Sequence, residues 1–118
     1  ARLARRHGRG ELADTWTTIA EREREEILRR GYSESLGFFT QALDGQNPDA
    51  SNLLLPTIGL LDARDPRFVG TLRAYEERLV ERGFMLRYRN EDDFGATTSG
   101  FTICSFWWAE SLALAGRL

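Results

Sequence analysis

The sequence predicts an all-α fold of antiparallel helical hairpins joined by long loops, some of which could form short strands. Three observations support this prediction. Apolar residues recur at spacings of three and four in several stretches, as they do along one face of a helix. Glycine or proline marks the ends of these stretches. The segments after alternate helices are long and rich in Gly, Asn, Asp and Ser, and such loops are uncommon in a compact domain unless they carry function.

The N-terminal part predicts two helices. Residues 1–7 should form the end of a helix that is closed by "GRG" at residues 8–10. A long amphipathic helix should then span residues 11–30, with the "EREREE" segment on its wet face, and end at Gly31. Trp16 lies in the middle of its apolar stripe and is predicted to be in the core.

The middle of the chain predicts a loop and a short helix. A short strand could form at residues 38–42. Asp49 or Ser51 can cap a helix over residues 52–61, and Pro56 should kink that helix or end its first half.

The strongest helix signal begins at Asp65. Asp65 fits the N-cap position and Pro66 the first helical position. Apolar residues follow at spacings of four, three and four until Gly83 ends the helix: Phe68, Leu72, Tyr75 and Leu79. Residues 84–88 could form a short strand, and residues 102–116 should form a last helix with a broad apolar face.

Composition limits the class of protein. A chain of 118 residues with 42% hydrophobic residues fits one globular domain, and no run approaches the roughly 18 apolar residues that span a membrane. A net charge of -2 gives no reason to expect nucleic acid as a partner. One histidine and one cysteine give no metal site, and the lone Cys104, predicted to be a small buried hydrophobe, favours a reducing, cytoplasmic location. Because the only methionine is Met85, the chain is expected to be a piece of a longer protein.

Five segments carry a family resemblance. The most specific are "DASNLLLPTIGLLDARDPR" and "FTICSFWWAESLALAGR"; the others are "LADTWTTIAEREREEIL", "GYSESLGFFTQAL" and "GFMLRYRNEDDFG". In their order along the chain they resemble the C-terminal part of glycoside hydrolase family 15, which contains bacterial glucoamylase-like and trehalase-like enzymes. The resemblance covers nearly the whole chain.

The resemblance implies that residues 1–118 are the C-terminal part of a catalytic domain with an (α/α)6 toroid fold. It implies hydrolysis of a terminal α-glucosidic bond in a glucan, an oligosaccharide or trehalose. The reaction would invert the configuration at the anomeric carbon, with a general acid and a general base about 6.5–9.5 Å apart. The acid would lie upstream of this chain. The partners would be the carbohydrate substrate and the rest of the parent domain, with water as nucleophile and no cofactor.

The base position departs from the family pattern. Relatives often carry a Glu in the loop before the "CSFW"-like helix, where this chain has Thr98. A threonine hydroxyl does not act as a base unassisted at neutral pH. Asp93 and Asp92 are therefore the candidate general base, and a solvated turn before Gly95 is the alternative interpretation of this pair. Adjacent residues of an extended chain point in opposite directions, so at most one of them should face a substrate.

Trp107, Arg89 and Thr98 are the candidate substrate-binding residues. Trp107 and Trp108 lie about 100° apart on a helix, so one ring could stack on a sugar while the other packs in the core. Arg87 and Arg89 alternate on a possible strand and could contact sugar hydroxyls or neutralise Asp92. Simple surface charge pairing is the alternative for both arginines.

Thr98 also supports a competing hypothesis, a non-catalytic sugar-binding or helical interaction module on the same fold. A generic helical repeat scaffold is disfavoured by the long irregular loops. A carboxylate among residues 91–93 that faces an aromatic-lined pocket would favour the enzyme, and a surface-facing triplet would favour the module. The chain alone is expected to be inactive, because the general acid lies elsewhere.

Overall fold

Helices dominate the computed structural model, which describes residues 1–93, 95, 97 and 99–117. Helical residues make up 52% of it, so the predicted all-α class is confirmed. The α-helices of this part are α1 Arg2–Arg6, α2 Gly10–Glu26, α3 Pro66–Leu79 and α4 Thr102–Leu114. A π-helical turn, Ile27–Gly31, follows α2, and a 3-10 helix spans Ala50–Leu54. The chain divides into two units, Ala1–Arg30 and Gly31–Leu118.

The first unit is a pair of helices. Gly8, with φ of 70°, turns the chain between them, and the Arg9 amide donates to the Ala4 carbonyl at 2.9 Å. Ala4 and Ala13 are buried, but Trp16 is 47% exposed, so the prediction that Trp16 lies in the core is wrong. Helix α1 is only five residues long, and Trp16 lines an open groove together with Leu3 and His7 instead of being covered.

Two short antiparallel hairpins interrupt the helices of the second unit. β1 (Tyr32–Ser33) pairs with β2 (Phe38–Phe39), and β3 (Val80–Glu81) pairs with β4 (Phe84–Met85). Between β3 and β4, Arg82 and Gly83 have φ of 51° and 84°, the double positive φ of a tight hairpin turn. This hairpin ends α3 at Leu79, four residues before the predicted end at Gly83.

Helix α3 forms the centre of the second unit. The Asp65 side chain accepts from the Arg67 amide and caps its start, as predicted, with Pro66 at the first position. One face is fully buried and packs on β2, where the rings of Tyr75 and Phe38 meet edge to face at 6.0 Å.

The predicted helix over residues 52–61 is shorter and begins earlier, as the 3-10 helix Ala50–Leu54. Its N-cap is Asp49, one of the two caps that the sequence proposed. After Leu55 the chain turns, and Gly59 takes a φ of 76° that a longer helix would not allow.

Helix α4 lies against the 3-10 helix and β4. The Ser111 hydroxyl donates to the Leu53 carbonyl at 3.1 Å, and the Ser105 hydroxyl accepts from the Met85 amide at 3.0 Å. The opposite side of α4 is exposed, including Phe106, which is 69% accessible. The broad apolar face of this helix is therefore only half covered within the described part of the chain.

Candidate functional site

A buried polar group lies where the 3-10 helix, α3 and the segment after β4 meet. It consists of Asp49, Asn52, Tyr75 and Arg87, which we call the Asp49 cluster. Asp49 is 4% exposed and has extended backbone angles at the N-cap. Its Oδ1 accepts from the Ser51 amide at 2.8 Å. The carboxylate is thus fixed by the start of a helix, although it has little contact with water.

The charge of Asp49 is balanced by Arg87. The Arg87 Nε donates to Asp49 Oδ1 at 2.5 Å, and the Ala50 amide donates to the Arg87 carbonyl at 2.8 Å. The hydrogen bond to Asp49 raises the pKa of Arg87 above its already high ordinary value. A buried carboxylate without such a partner would be strongly destabilising, so the two residues form one unit.

Tyr75 and Asn52 complete the hydrogen bonding beneath the ion pair. The Tyr75 hydroxyl donates to the Phe39 carbonyl at 2.6 Å and accepts from Asn52 Nδ2 at 2.9 Å and the Asp49 amide at 3.3 Å. Asn52 Nδ2 also donates to the Thr40 carbonyl at 3.1 Å. Burial raises the pKa of Tyr75 to about 12, so its hydroxyl stays a neutral donor.

Arg87 connects this cluster to Trp107 on α4. Its guanidinium carbon lies 5.9 Å from the centroid of the Trp107 ring, a cation–π distance. The Arg87 side chain is 36% exposed, and its two terminal amino groups have no hydrogen bond to any residue that the structure describes. Trp107 itself is half-buried. Free guanidinium donors beside an indole ring can bind a polyhydroxylated ligand that also has an apolar face.

Cys104 lies one helical turn before Trp107 and is fully buried. Burial raises the pKa of its thiol to about 11. A thiol with so little thiolate at neutral pH is a packing residue, as predicted, and not a nucleophile.

The two candidate bases lie in a tight turn on the surface. Asp92 pairs with Gly95 through both backbone amides, and Gly95 has a φ of 94°. The Asp92 carboxylate accepts a hydrogen bond from the Tyr88 hydroxyl, which raises the pKa of Tyr88. Asp93 is exposed in the same turn, and Glu91 is exposed before it. The assignment of either aspartate as a base stays a prediction.

Arg89, a predicted binding residue, lies away from the Asp49 cluster. Arg89 donates to the Arg78 carbonyl at 2.6 Å and to Glu81 at 3.3 Å, so it binds the end of α3 and the β3–β4 hairpin. Thr98 lies outside the residues that the structure describes. Of the two predicted binding residues that the structure describes, Trp107 contacts the Asp49 cluster and Arg89 binds elsewhere.

Sequence reasoning missed Tyr75 as a polar residue of the site and named Arg89, not Arg87, as the substrate-binding arginine. Residues 87 and 89 would lie on the same face of a strand, so alternation does not show which of the two arginines meets Asp49. Asp49 was visible in the sequence as a possible helix cap. Its burial, which makes a cationic partner necessary, is seen only in the structure.

Neither a cluster of metal ligands nor a membrane-spanning helix occurs among the described residues. Among the described residues, no three His, Cys, Asp or Glu side chains lie close enough together to hold a metal ion. No helix in the described ranges combines the length and the apolar character that crossing a bilayer requires.

The helical fold, with a buried ion pair that holds an arginine against a tryptophan, fits the class of helical carbohydrate-active proteins. Comparison with known proteins identifies the family: the chain belongs to glycosyl hydrolases family 15, whose model matches residues 1–117. It is 37% identical over 121 residues to a trehalase of Mycobacterium tuberculosis and 39% identical to a trehalase of Mycolicibacterium smegmatis. Each alignment covers 100% of this chain and 18% of the relative, so the chain spans less than a fifth of their length.

Solved structures give the same architecture. A chain described as "Glycosidase Wild Type" superposes with a TM-score of 0.75 at 22% identity, over 86% of this chain and 26% of that chain. At this identity the likeness concerns the fold, and it confirms the predicted helical toroid class.

Proposed function

We propose that the chain is the C-terminal part of the catalytic domain of a glycoside hydrolase that releases terminal α-linked glucose. Trehalose is the favoured substrate, because the curated relatives are trehalases. The observation that carries the proposal is the Arg87–Trp107 pair in a chain of family 15.

The pair would form one wall of a glucose subsite. An indole ring packs on the apolar face of a pyranose, and the two free amino groups of Arg87 would donate to its hydroxyl oxygens. Because Arg87 keeps its charge at every ordinary pH, these would be charge-assisted hydrogen bonds. Trp107 thus keeps the substrate-binding role predicted from the sequence. Arg87 takes that role instead of Arg89.

The rest of the parent domain would be the partner that completes the pocket. The chain covers 18% of its relatives, and α4 exposes apolar side chains such as Phe106, which further helices of a toroid would cover. That remainder would supply the general acid. Inverting hydrolysis needs a second carboxylate about 6.5–9.5 Å away, with water between the two.

The test uses the full-length protein that carries this chain, with trehalose, maltose and a longer α-glucan as substrates. Proton NMR of the first products separates the mechanisms. Inversion of trehalose gives equal amounts of β-glucose, from the attacked ring, and α-glucose, from the leaving ring, whereas retention gives α-glucose alone. Absence of glucose release and of sugar binding by the folded protein would reject the proposed function.

The subsite is tested with Arg87→Ala and Trp107→Ala, compared with Arg73→Ala, which removes an exposed arginine of α3. Arg87→Ala should raise KM about tenfold or more, because a charged hydrogen bond contributes about 1.5–3 kcal/mol. Trp107→Ala should also raise KM, because the apolar face of the sugar loses its stacking partner. Arg73→Ala should leave KM unchanged. Equal KM values for all three variants would show that the pair is not in the subsite.

The base is tested with Asp92→Asn and Asp93→Asn, with Glu91→Gln as the control for charge. One aspartate variant should lose about 10²–10⁴-fold in kcat, the usual contribution of general base catalysis. The other should stay near wild type, because a single carboxylate serves as the general base. Full activity in both variants would move the base elsewhere and leave the glucose subsite unaffected.

A second candidate function is a non-catalytic sugar-binding module on the same fold. The exposure of residues 91–93 favours it, as does the threonine at position 98. Calorimetric titration with glucose or trehalose decides: binding without any hydrolysis by the folded protein supports the module.

A further inference from the structure

We propose that Asp49 is a positioning residue whose buried carboxylate orients the Arg87 guanidinium beside Trp107. This inference rests on the proposed function, since it assigns a role within the same glucose subsite. Asp49 itself would not touch the sugar.

Hydrogen bonds to residues other than Arg87 fix the position of Asp49. Its Oδ1 accepts from the Ser51 amide at 2.8 Å, its backbone amide donates to Tyr75 at 3.3 Å, and Gln41 Nε2 lies 3.5 Å from Oδ2. A carboxylate with these contacts and 4% exposure has little freedom to rotate. It is therefore a fixed point against which a flexible arginine can be set.

The hydrogen bond from Arg87 to this fixed carboxylate also fixes the orientation of the Arg87 guanidinium. A guanidinium is planar, so fixing its Nε–H also fixes the directions of its other N–H bonds. The bond from Nε to Oδ1 is 2.5 Å, and the Ala50 amide holds the Arg87 carbonyl at 2.8 Å from the other side. Both terminal amino groups stay without a hydrogen bond among the described residues, although Asp49 binds the same guanidinium.

A second acid–arginine pair in the chain shows what a local structural pair looks like. Asp65 also caps a helix, but it binds Arg67, only two residues away. That contact takes both Nε at 3.0 Å and Nη2 at 2.7 Å. Asp49 and Arg87 are instead 38 residues apart, and only Nε is used. The long-range pair thus orients a guanidinium and leaves its outer donors available, which stabilisation alone does not require.

The experiment compares Asp49→Asn with Asp65→Asn in the full-length protein. Both substitutions remove the charge from a helix-capping acid that pairs with an arginine, so both should lower the thermal midpoint. Asp49→Asn alone should raise KM, by about tenfold if it costs Arg87 one charged hydrogen bond to the sugar. A purely structural role would lower the folded fraction and leave the KM of the remaining folded enzyme unchanged.

A double variant tests whether Asp49 acts through Arg87. Asp49→Asn combined with Arg87→Ala should raise KM no further than Arg87→Ala alone, because Asp49 acts through Arg87. An unchanged KM for Asp49→Asn, beside a raised KM for Arg87→Ala, would overturn the positioning role and leave the proposed function intact.

If the wild-type protein neither cleaves nor binds sugar, the proposed function fails and crystal structures still decide the positioning role. Displacement of the Arg87 guanidinium from Trp107 in Asp49→Asn supports it. An unmoved guanidinium in that variant refutes it.

Discussion

Removing the Tyr75 hydroxyl should destabilise the protein in a pH-dependent way. Tyr75→Phe keeps the ring that packs on Phe38 but deletes one donor and one acceptor from a fully buried site. The Phe39 carbonyl loses its 2.6 Å hydrogen bond and the Asp49 amide loses its partner at 3.3 Å, while Asn52 keeps its bond to Thr40. One lost hydrogen bond and one unpaired buried donor together lower the free energy of unfolding by about 3 kcal/mol near neutral pH.

At alkaline pH the Tyr75 hydroxyl stabilises the folded protein less. Burial raises the pKa of Tyr75 from 10.0 to about 12, so the unfolded chain loses this proton before the folded chain does. The stabilisation that the neutral phenol provides is therefore complete below about pH 10 and is lost as the pH rises towards 12. Each pH unit in that window is worth about 1.4 kcal/mol, so wild type should lose about 1.4 kcal/mol of its advantage over Tyr75→Phe by about pH 11.

Urea unfolding of both proteins at about pH 7, 10 and 11 measures this difference. All other titrating groups are shared, so they cancel between the two proteins. Tyr88→Phe is the control at neutral pH, because it removes a surface hydroxyl and should cost about 0.5 kcal/mol or less. A difference between wild type and Tyr75→Phe that stays constant from neutral pH to about pH 11 would refute the reasoning.

Two further predictions concern close packing. Gly100→Ala should lower the free energy of unfolding by about 1–3 kcal/mol, because its new Cβ would lie 2.5 Å from Phe84 Cβ. Gly10→Ala, with nothing within 4 Å of the new methyl group, should not be destabilising, and equal thermal midpoints for the two variants would contradict this packing. Burial raises the pKa of Cys104 to about 11, so iodoacetamide should modify it slowly in the native protein near neutral pH. Rapid modification of the Cys104 peptide, detected by mass spectrometry, would show that the thiol is accessible.

Local signals in the sequence predicted the helices well. The cap at Asp65, the proline at position 66 and the apolar spacing that follows depend on residues within one or two turns, and the structure has α3 where they place it. The end of α3 was placed too late, because Val80 and Glu81 pair with residues beyond the turn and leave the helix. Such pairing depends on partners further along the chain, which helical periodicity does not report.

Tertiary contacts explain what could not be predicted. Trp16 has the right spacing for a core residue, but burial also needs a partner long enough to cover it. The Asp49 cluster joins residues up to 38 positions apart, and no local pattern specifies that Arg87, and not Arg89, meets the buried acid. Residue type showed that charges were present, and only the fold shows which of them are paired.

The Asp49 cluster also affects how the second unit folds. Its bonds span sequence separations of 23 to 38 residues, so several long loops must close before any of them forms. Because a half-formed cluster would leave a desolvated charge without its partner, its members should come together late and in a single step. Substitutions there should therefore accelerate unfolding more than they slow folding, which makes the cluster a determinant of how long the native state persists.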